Sequence, residues 1–379
     1  MPPPRSSTPD APPAAPVRDL DDATFFADVA SGNARFQERA LDYYRDARRR
    51  PPVFRHPDGR WLVTAYEPAE RVLRDARLAF GRPAAGGAAF ARLRASWLEL
   101  SGGAAHRSAR QAVGRAVAAD DSLAAARAAV ARRLDRLPAG GVTDLVRTFL
   151  HPLWLDLVQS WLGLPLRPLL ALDPEVRTVA AALPRDAGDD AEAAAARLLA
   201  MLDEAAEPGT GHGLLGTWAT SPEVGVRLLN LYADAAPAVT GAGLCLGALL
   251  RRPDAGRIAA DPVAVAAFVR ATLRDDPPQV LVPRVAVEPL RIGGHEVAVG
   301  DRVAVVVGAA NAGGGRDTAS LTFGAGPHAC LGHRLAHDLA VTTLRELVAR
   351  FPDAELAGDP EWLDLPGFRC QAALPVRLR

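Results

Sequence analysis

The sequence predicts a mainly α-helical fold with small β-sheets near each end of the chain. Apolar residues recur at helical spacing over most of the chain. Short β-rich runs bounded by Pro and Gly lie before residue 65 and after residue 280. Hydrophobic residues make up 49% of 379 residues, which is enough for one large core. No repeat or clear linker divides the chain, so we predict a single domain over residues 19–379.

The first 18 residues are predicted to be a disordered tail. They begin MPPPRSSTPDAPPAAP, which is rich in Pro and Ala and contains no apolar stretch of the kind found in signal peptides.

Composition and cysteine use exclude several classes of protein. Lys+Arg and Asp+Glu both number 44, so the net charge is zero and no basic nucleic-acid surface is indicated. The three cysteines, Cys245, Cys330 and Cys370, are widely spaced and form no CxxC or Cys/His cluster. This pattern favours a reducing cytoplasm over a disulfide framework or a zinc site.

The N-terminal half alternates helical patterns with one hairpin. Residues 53–66, VFRHPDGRWLVTAY, place β-rich runs on either side of Pro57-Asp58-Gly59, which predicts a β-hairpin. Helices are predicted at residues 21–50, 67–80, 104–137, 143–163 (interrupted near Pro152) and 171–206.

The C-terminal half begins with a long apolar segment at residues 228–250. Its length would allow a membrane span, but it contains Asp234 and Pro237, and a buried helix crossing a large core explains it equally well. We therefore predict a buried helix and no membrane span. Further elements are predicted as a helix at 262–274, strands within 282–308, a Gly-rich loop at 309–319, a helix at 333–351 and an alternating C-terminus.

The most informative stretch is FGAGPHACLG, which contains Cys330 and leads into the last long helix. Backbone N–H groups and the positive dipole end of a helix lower the pKa of a cysteine placed there, which favours the thiolate that binds metals. Glycines allow the backbone to approach a flat macrocycle closely. A lone cysteine is usually a buried structural thiol, but this order of residue types is much more specific. The ordered positions are Phe323, Gly324, Gly326, His328, Cys330 and Gly332.

This stretch resembles the haem-binding loop of cytochromes P450, FGxGxHxCxG, at every defined position. The resemblance runs from about Pro52 to the end of the chain, and Leu335-Ala336 continues it. It implies the cytochrome P450 fold and a haem b whose iron takes its axial thiolate from Cys330. Thiolate ligation favours cleavage of the O–O bond.

Four further residues resemble the groups that hold the haem propionates in this family. His106 and Arg110 match an HxxxR element, and their i,i+4 spacing places both on one helix face. An ordinary basic surface helix is the alternative. Arg284 follows Pro277-Pro278 as in the strand that sends an Arg to a propionate, and His328 lies in the cysteine loop. Together they predict a clamp for the anionic haem edge.

The long central helix departs from the family. Relatives carry an acid and an alcohol there, in a pattern like AGxET, but this chain has Ala236 at the acid position and Pro237 or Ala238 at the alcohol position. A general acid must lie within hydrogen-bond reach of its oxygen. The resemblance places the substrate pocket over the haem at Ala233, Ala236, Pro237 and Thr240.

Two other elements also depart. The family's ExxR is Ala271-Thr-Leu-Arg274 here, so the Glu is missing and Arg274 needs another partner, for which Asp275 or Asp276 are candidates. The segment from Asn311 to Leu321 is short, where the family has a longer meander that helps to dock the electron donor.

The resemblance implies a bacterial haem-thiolate oxidoreductase, of monooxygenase type, acting on a small molecule of secondary metabolism. Its electron donor would be a ferredoxin. The departures leave two interpretations: the substrate supplies the missing hydroxyl, or the reaction uses peroxide or is an unusual rearrangement. A different class of function is a P450-like auxiliary protein that activates a partner enzyme such as a glycosyltransferase, but the preserved Cys330 argues against it. No nucleophile–base pair indicates catalysis without a cofactor.

Overall fold

The fold is mainly helical with small β-sheets, which confirms the predicted fold class. The computed structural model describes residues 16–80, 86–96, 106–108, 110–111, 114, 120–162, 170–171, 174–176, 178–179, 182, 188–205, 222–315 and 318–379. The helices are α1 (Asp22–Ser31), α2 (Ala34–Asp46), α3 (Tyr66–Arg74), α4 (Ala88–Ser96), α5 (Asp120–Leu134), α6 (His151–Leu162), α7 (Asp189–Ala205), α8 (Pro222–Leu249), α9 (Ala255–Ala260), α10 (Pro262–Asp275), α11 (Val307–Gly313) and α12 (His333–Arg350).

The strands are β1 (Val53–Arg55), β2 (Trp61–Val63), β3 (Leu78–Ala79), β4 (Val142–Asp144), β5 (Leu281–Ala286), β6 (Leu290–Ile292), β7 (His295–Val297), β8 (Arg302–Val306), β9 (Glu355–Leu356), β10 (Glu361–Trp362), β11 (Gln371–Ala373) and β12 (Pro375–Arg377). The largest sheet has the order β1-β2-β8-β5-β3, in which β2 and β8 are parallel and the other pairs antiparallel. It joins the predicted N-terminal hairpin, whose turn contains Gly59 at φ +87°, to the strands that follow residue 280. A smaller sheet has the order β4-β12-β9.

The apolar segment around residues 228–250 is a helix with a buried C-terminal half, as predicted. In α8, the side chains of Ala242, Cys245 and Leu246 are fully buried in the main core cluster, which also contains Leu339 and Leu344 of α12. Within the described residues, no helix is long and apolar enough to cross a membrane. The C-terminal half of α8 is therefore a buried helix in the centre of the main core cluster.

Small residues let α8 lie close to the C-terminal hairpin formed by β10 and β11. A Cβ at Gly243 would lie 2.6 Å from Oε1 of Gln371 and 2.7 Å from Cδ1 of Leu150, so a larger residue would force these side chains to shift. The hairpin therefore lies directly against the central helix.

Several predicted elements are wrong in type or extent. The Gly-rich segment predicted as a loop at 309–319 begins inside α11, which continues to Gly313 and whose residues Val307 to Asn311 are buried. Burial explains the error, because small residues pack a helix tightly where propensity alone predicts a loop. The end of the helix predicted at 67–80 is strand β3, and the start of that predicted at 143–163 is strand β4 followed by a π-helical turn, Val146–Leu150.

The predicted tail also ends earlier than residue 18. Val17–Asp19 form a 3-10 turn, and the Val17 side chain is only 2% exposed. Arg50 donates a hydrogen bond to the Val17 carbonyl at 3.2 Å. The ordered chain therefore includes Val17, while residues 1–15 lie outside the described residues.

Replacing Gly308 with alanine is expected to destabilise the protein. The added Cβ would lie 2.4 Å from the ring of Tyr44, which has 2% exposure. Overpacking of this kind costs about 1–3 kcal/mol of unfolding free energy. The matched control is Gly256→Ala in α9, where nothing lies within 4 Å of the new Cβ. Denaturant unfolding should show the loss for Gly308→Ala alone, and equal stability of the two variants would contradict this packing.

Candidate functional site

The predicted cysteine loop is a tight turn that ends at the start of α12. Gly324 and Gly326 have φ values of +70° and +72°, which other residues rarely adopt. A Cβ at Gly326 would lie 3.0 Å from the Arg74 Cα, so the loop packs directly on α3. The Cys330 N–H donates to the Phe323 carbonyl at 2.7 Å and closes the loop. Gly332 follows as the N-cap residue of α12.

The three cysteines have different environments. Cys245 is buried and Cys370 is partly buried, whereas Cys330 is exposed. Burial raises the pKa of the Cys245 and Cys370 thiols. Cys330 precedes the N-terminus of α12 and lies close enough to Arg110 to interact with it electrostatically. Of the three thiols, Cys330 is therefore the one presented for binding a metal.

The structure brings the four predicted propionate-binding residues together beside this loop. The rings of His106 and His328 have centroids 4.4 Å apart. His106 Nε2 lies 3.2 Å from the Pro327 carbonyl oxygen, and Arg110 donates to the Ala329 carbonyl. The Arg284 side chain comes from β5, is 3% exposed, and places its guanidinium carbon 5.0 Å from the centre of the Phe80 ring. The buried position of His106 and its contact with the loop argue against an ordinary surface helix.

The electrostatics of the cluster are those of an anion site. The pKa of His328 is lowered to about 4, first by burial and then by the nearby His106, Arg284 and Arg110. Burial disfavours a charge on His328 because it removes water, and the three neighbours disfavour it by electrostatic repulsion from separate elements. A doubly anionic edge, such as two haem propionates, would relieve this repulsion. The residues present therefore fit a haem with its iron at Cys330 and its propionates at the propionate cluster (His106, Arg110, Arg284 and His328).

The predicted pocket residues lie on α8, where neither an acid nor an alcohol occupies the family's positions. Ala236 is exposed and Pro237 is half-buried. The side chain of Ala233 lies outside the described part of the chain. The Thr240 hydroxyl lies 3.7 Å from Sγ of Cys370 in a weak hydrogen bond. Sequence reasoning missed this contact because no local pattern pairs residues 130 positions apart.

Arg274 has found partners other than the predicted carboxylates. Its guanidinium donates to the Thr318 carbonyl at 2.7 Å and the Gly315 carbonyl at 2.8 Å. Asp276 instead forms an ion pair with Arg369, so its candidacy as the substitute is wrong. Asp275 is exposed. Residues 316 and 317 of the short segment from Asn311 to Leu321 lie outside the described residues.

Comparison with known proteins shows similarity to bacterial cytochromes P450. No sequence-family model matches the chain. It is 38% identical to cytochrome P-450 monooxygenase DoxA of Streptomyces peucetius over 30% of this chain and 31% of that protein. It is 30% identical to cytochrome P450 monooxygenase PikC of Streptomyces venezuelae over 63% of this chain and 64% of that protein. The matches thus span less than two thirds of the length of either relative.

The solved structure of P450BioI in complex with an acyl carrier protein matches 91% of this chain and 100% of its own, with a TM-score of 0.80 and 20% identity. That likeness concerns the fold. The homologous cytochromes P450 imply haem with cysteine thiolate ligation. The chain has the fold of the cytochromes P450 and is similar in sequence to bacterial members of that family.

Proposed function

We propose that this protein is a haem-thiolate oxidoreductase, of monooxygenase type, that oxidises a small-molecule intermediate of secondary metabolism. The observation that carries the proposal is the exposed Cys330 beside the propionate cluster, in which the two guanidinium groups of Arg110 and Arg284 lie near His106 and His328. An auxiliary scaffold would need neither. The names of DoxA and PikC describe monooxygenases, which supports the same class of reaction for this chain.

In this proposal Cys330 would hold the haem iron, and the haem would supply an iron centre whose thiolate ligation favours O–O bond cleavage. His106, Arg110, Arg284 and His328 would hold the anionic edge of the haem. The loop hydrogen bond from the Cys330 N–H to the Phe323 carbonyl fixes the sulfur's position. These residues bind and orient the cofactor and leave proton delivery to other groups.

Proton delivery is where this protein differs from ordinary members in our proposal. Ala236 cannot act as a general acid, and Pro237 has neither a hydroxyl nor an N–H. The Thr240 hydroxyl is engaged with Cys370. The proton must then come from the substrate's own hydroxyl, or the enzyme uses peroxide, which already carries its protons. A rearrangement without added oxygen would need no such relay.

The oxidant can be tested with guaiacol as a general probe. We expect purified holoprotein to oxidise it at least about tenfold faster with hydrogen peroxide than with oxygen and a ferredoxin system, because the relay residues are absent from α8. A faster oxygen-driven rate would show that oxygen activation is intact and would refute this part of the proposal.

Removing one cation of the cluster is expected to weaken haem binding. Arg284→Gln removes a buried charge 5.0 Å from the Phe80 ring and should lower haem affinity about tenfold or more, as a lost charge-assisted hydrogen bond does. The control is Arg197→Gln, which breaks an exposed pair with Glu175. Haem transfer to apomyoglobin measures both. Equal haem loss from the two variants would contradict the role given to Arg284.

A further inference from the structure

We propose that Asn311 is the residue that positions the cysteine loop, replacing the network that the missing Glu would have formed. The inference rests on the proposed function only in that the loop holds the haem ligand. It concerns how Arg274, left without a glutamate, is tied to the loop that presents Cys330.

Arg274 is held by one backbone carbonyl in the last turn of α11 and by two carbonyls in the segment that follows this helix. Its guanidinium donates to the carbonyls of Asn311 at 3.2 Å, Gly315 at 2.8 Å and Thr318 at 2.7 Å. It also donates to the Thr318 hydroxyl at 3.1 Å. The last carbonyls of a helix lack intrahelical donors and carry partial negative charge, so a cation there is favoured. This carbonyl cage supplies the negative surface that a carboxylate would otherwise provide.

The position of the missing Glu, residue 271, lies at the protein surface. Ala271 is exposed. A carboxylate there would lie in solvent, so its loss leaves neither a buried cavity nor an uncompensated charge. The substitution and the carbonyl cage are therefore compatible with each other.

The Asn311 side chain binds both Arg274 and the segment that leads into the cysteine loop. This side chain is almost fully buried, at 1% exposure for the residue. Nδ2 donates to the Arg274 carbonyl at 2.8 Å and to the Thr322 hydroxyl at 3.0 Å, and Oδ1 accepts from the Leu321 N–H at 2.8 Å. One amide thus satisfies groups on α10 and on the segment that enters the loop, which no apolar residue could do.

Thr322 completes the link, and from there the loop is short. The Thr322 hydroxyl donates to the Leu273 carbonyl at 2.7 Å, so the segment is fastened to α10 at two adjacent residues. The Gly324 N–H donates to the Leu321 carbonyl at 2.9 Å, and the Cys330 N–H donates to the Phe323 carbonyl at 2.7 Å. Movement of Leu321 would therefore move the backbone that fixes Cys330.

The test is Asn311→Ala, with Gln37→Ala as the matched control. Gln37 is also a buried amide, and its Nε2 donates to the carbonyls of Gly32 and Phe368, away from the loop. We expect amide hydrogen exchange in residues 318–330 to be at least about tenfold faster in Asn311→Ala and unchanged in Gln37→Ala. Unchanged exchange in Asn311→Ala, or equal acceleration in both variants, would overturn the proposal.

A spectroscopic measurement separates positioning from general stability. In haem-loaded protein, reduced and exposed to carbon monoxide, we expect the thiolate-ligated fraction to fall at least about twofold in Asn311→Ala relative to wild type and Gln37→Ala. An unchanged fraction would overturn the proposal. If wild type shows no thiolate band, the proposed function fails, and the hydrogen-exchange comparison still decides the positioning role.

Two further variants complete the test. Should Asn311→Ala not fold, Asn311→Asp keeps the acceptor for the Leu321 N–H and loses both donors, and it should accelerate loop exchange in the same residues. Restoring the family's glutamate with Ala271→Glu should leave loop exchange unchanged because residue 271 is exposed. No acceleration in Asn311→Asp, or slower exchange in Ala271→Glu, would contradict the assignment.

Discussion

Replacing Cys330 with serine is expected to abolish turnover, with a loss of at least about a hundredfold, and to leave the fold largely intact. A neutral hydroxyl binds iron far more weakly than a thiolate and donates less electron density to it. The fold should persist because the Cys330 side chain is exposed and its N–H bond to the Phe323 carbonyl does not involve the sulfur. Circular dichroism would measure whether the fold is kept, and a screen of candidate substrates would measure turnover.

The control for this variant is Cys245→Ala. Cys245 is fully buried in the core cluster, so the change should lower stability and leave the thiolate signature in place. Turnover retained in Cys330→Ser would point to a haem-independent role. Loss of the thiolate band in Cys245→Ala would show that Cys330 is wrongly assigned as the iron ligand.

Removing Asp276 is expected to give the largest loss of stability among single substitutions of charged residues. Asp276 is paired with Arg369, which is 4% exposed and lies over the Trp362 ring with its guanidinium carbon 3.7 Å from the ring centre. Arg369 also donates to the Gln37 carbonyl, so the pair joins α2, the end of α10 and the C-terminal hairpin. Asp276→Ala leaves a buried cation without its counter-charge and should cost about 3–5 kcal/mol.

A double-mutant cycle makes this result specific. Combining Asp276→Ala with Arg369→Met should recover part of the loss, because the second change removes the stranded charge. The control is Asp359→Ala, whose pair with Arg251 is highly exposed and contributes about 0–1 kcal/mol. Denaturant unfolding measures wild type, Asp276→Ala, Arg369→Met, the double variant and the Asp359→Ala control. Equal losses for Asp276→Ala and Asp359→Ala would contradict the buried pair.

The sequence predicted the cysteine loop well because its signal is local. Residues 323–332 are contiguous, and two of the glycines occupy positive-φ positions that select glycine physically. The convergence of His106, Arg284 and His328 could not be derived from spacing, since they lie on separate elements. That prediction came from the family resemblance, and the structure shows the same grouping.

The contacts that the sequence could not predict involve partners that have no local sequence pattern. Arg274 is held by backbone carbonyls, which every residue has, so searching for a carboxylate led to Asp276 and was wrong. Helix α11 was missed because Gly308, Asn311 and Gly313 have low helix propensity, whereas the packing of Gly308 on Tyr44, which favours the helix, has no local sequence signal. The Thr240–Cys370 contact likewise depends on the close approach of α8 to the hairpin.

The optical spectrum of the purified, reduced protein under carbon monoxide tests the central claim most directly. We expect stoichiometric haem and a Soret band at the wavelength that gives the family its name, which would establish the Cys330 thiolate as the axial ligand. A protein that takes up no haem despite ample supply would contradict the claim and favour an auxiliary role beside a partner enzyme.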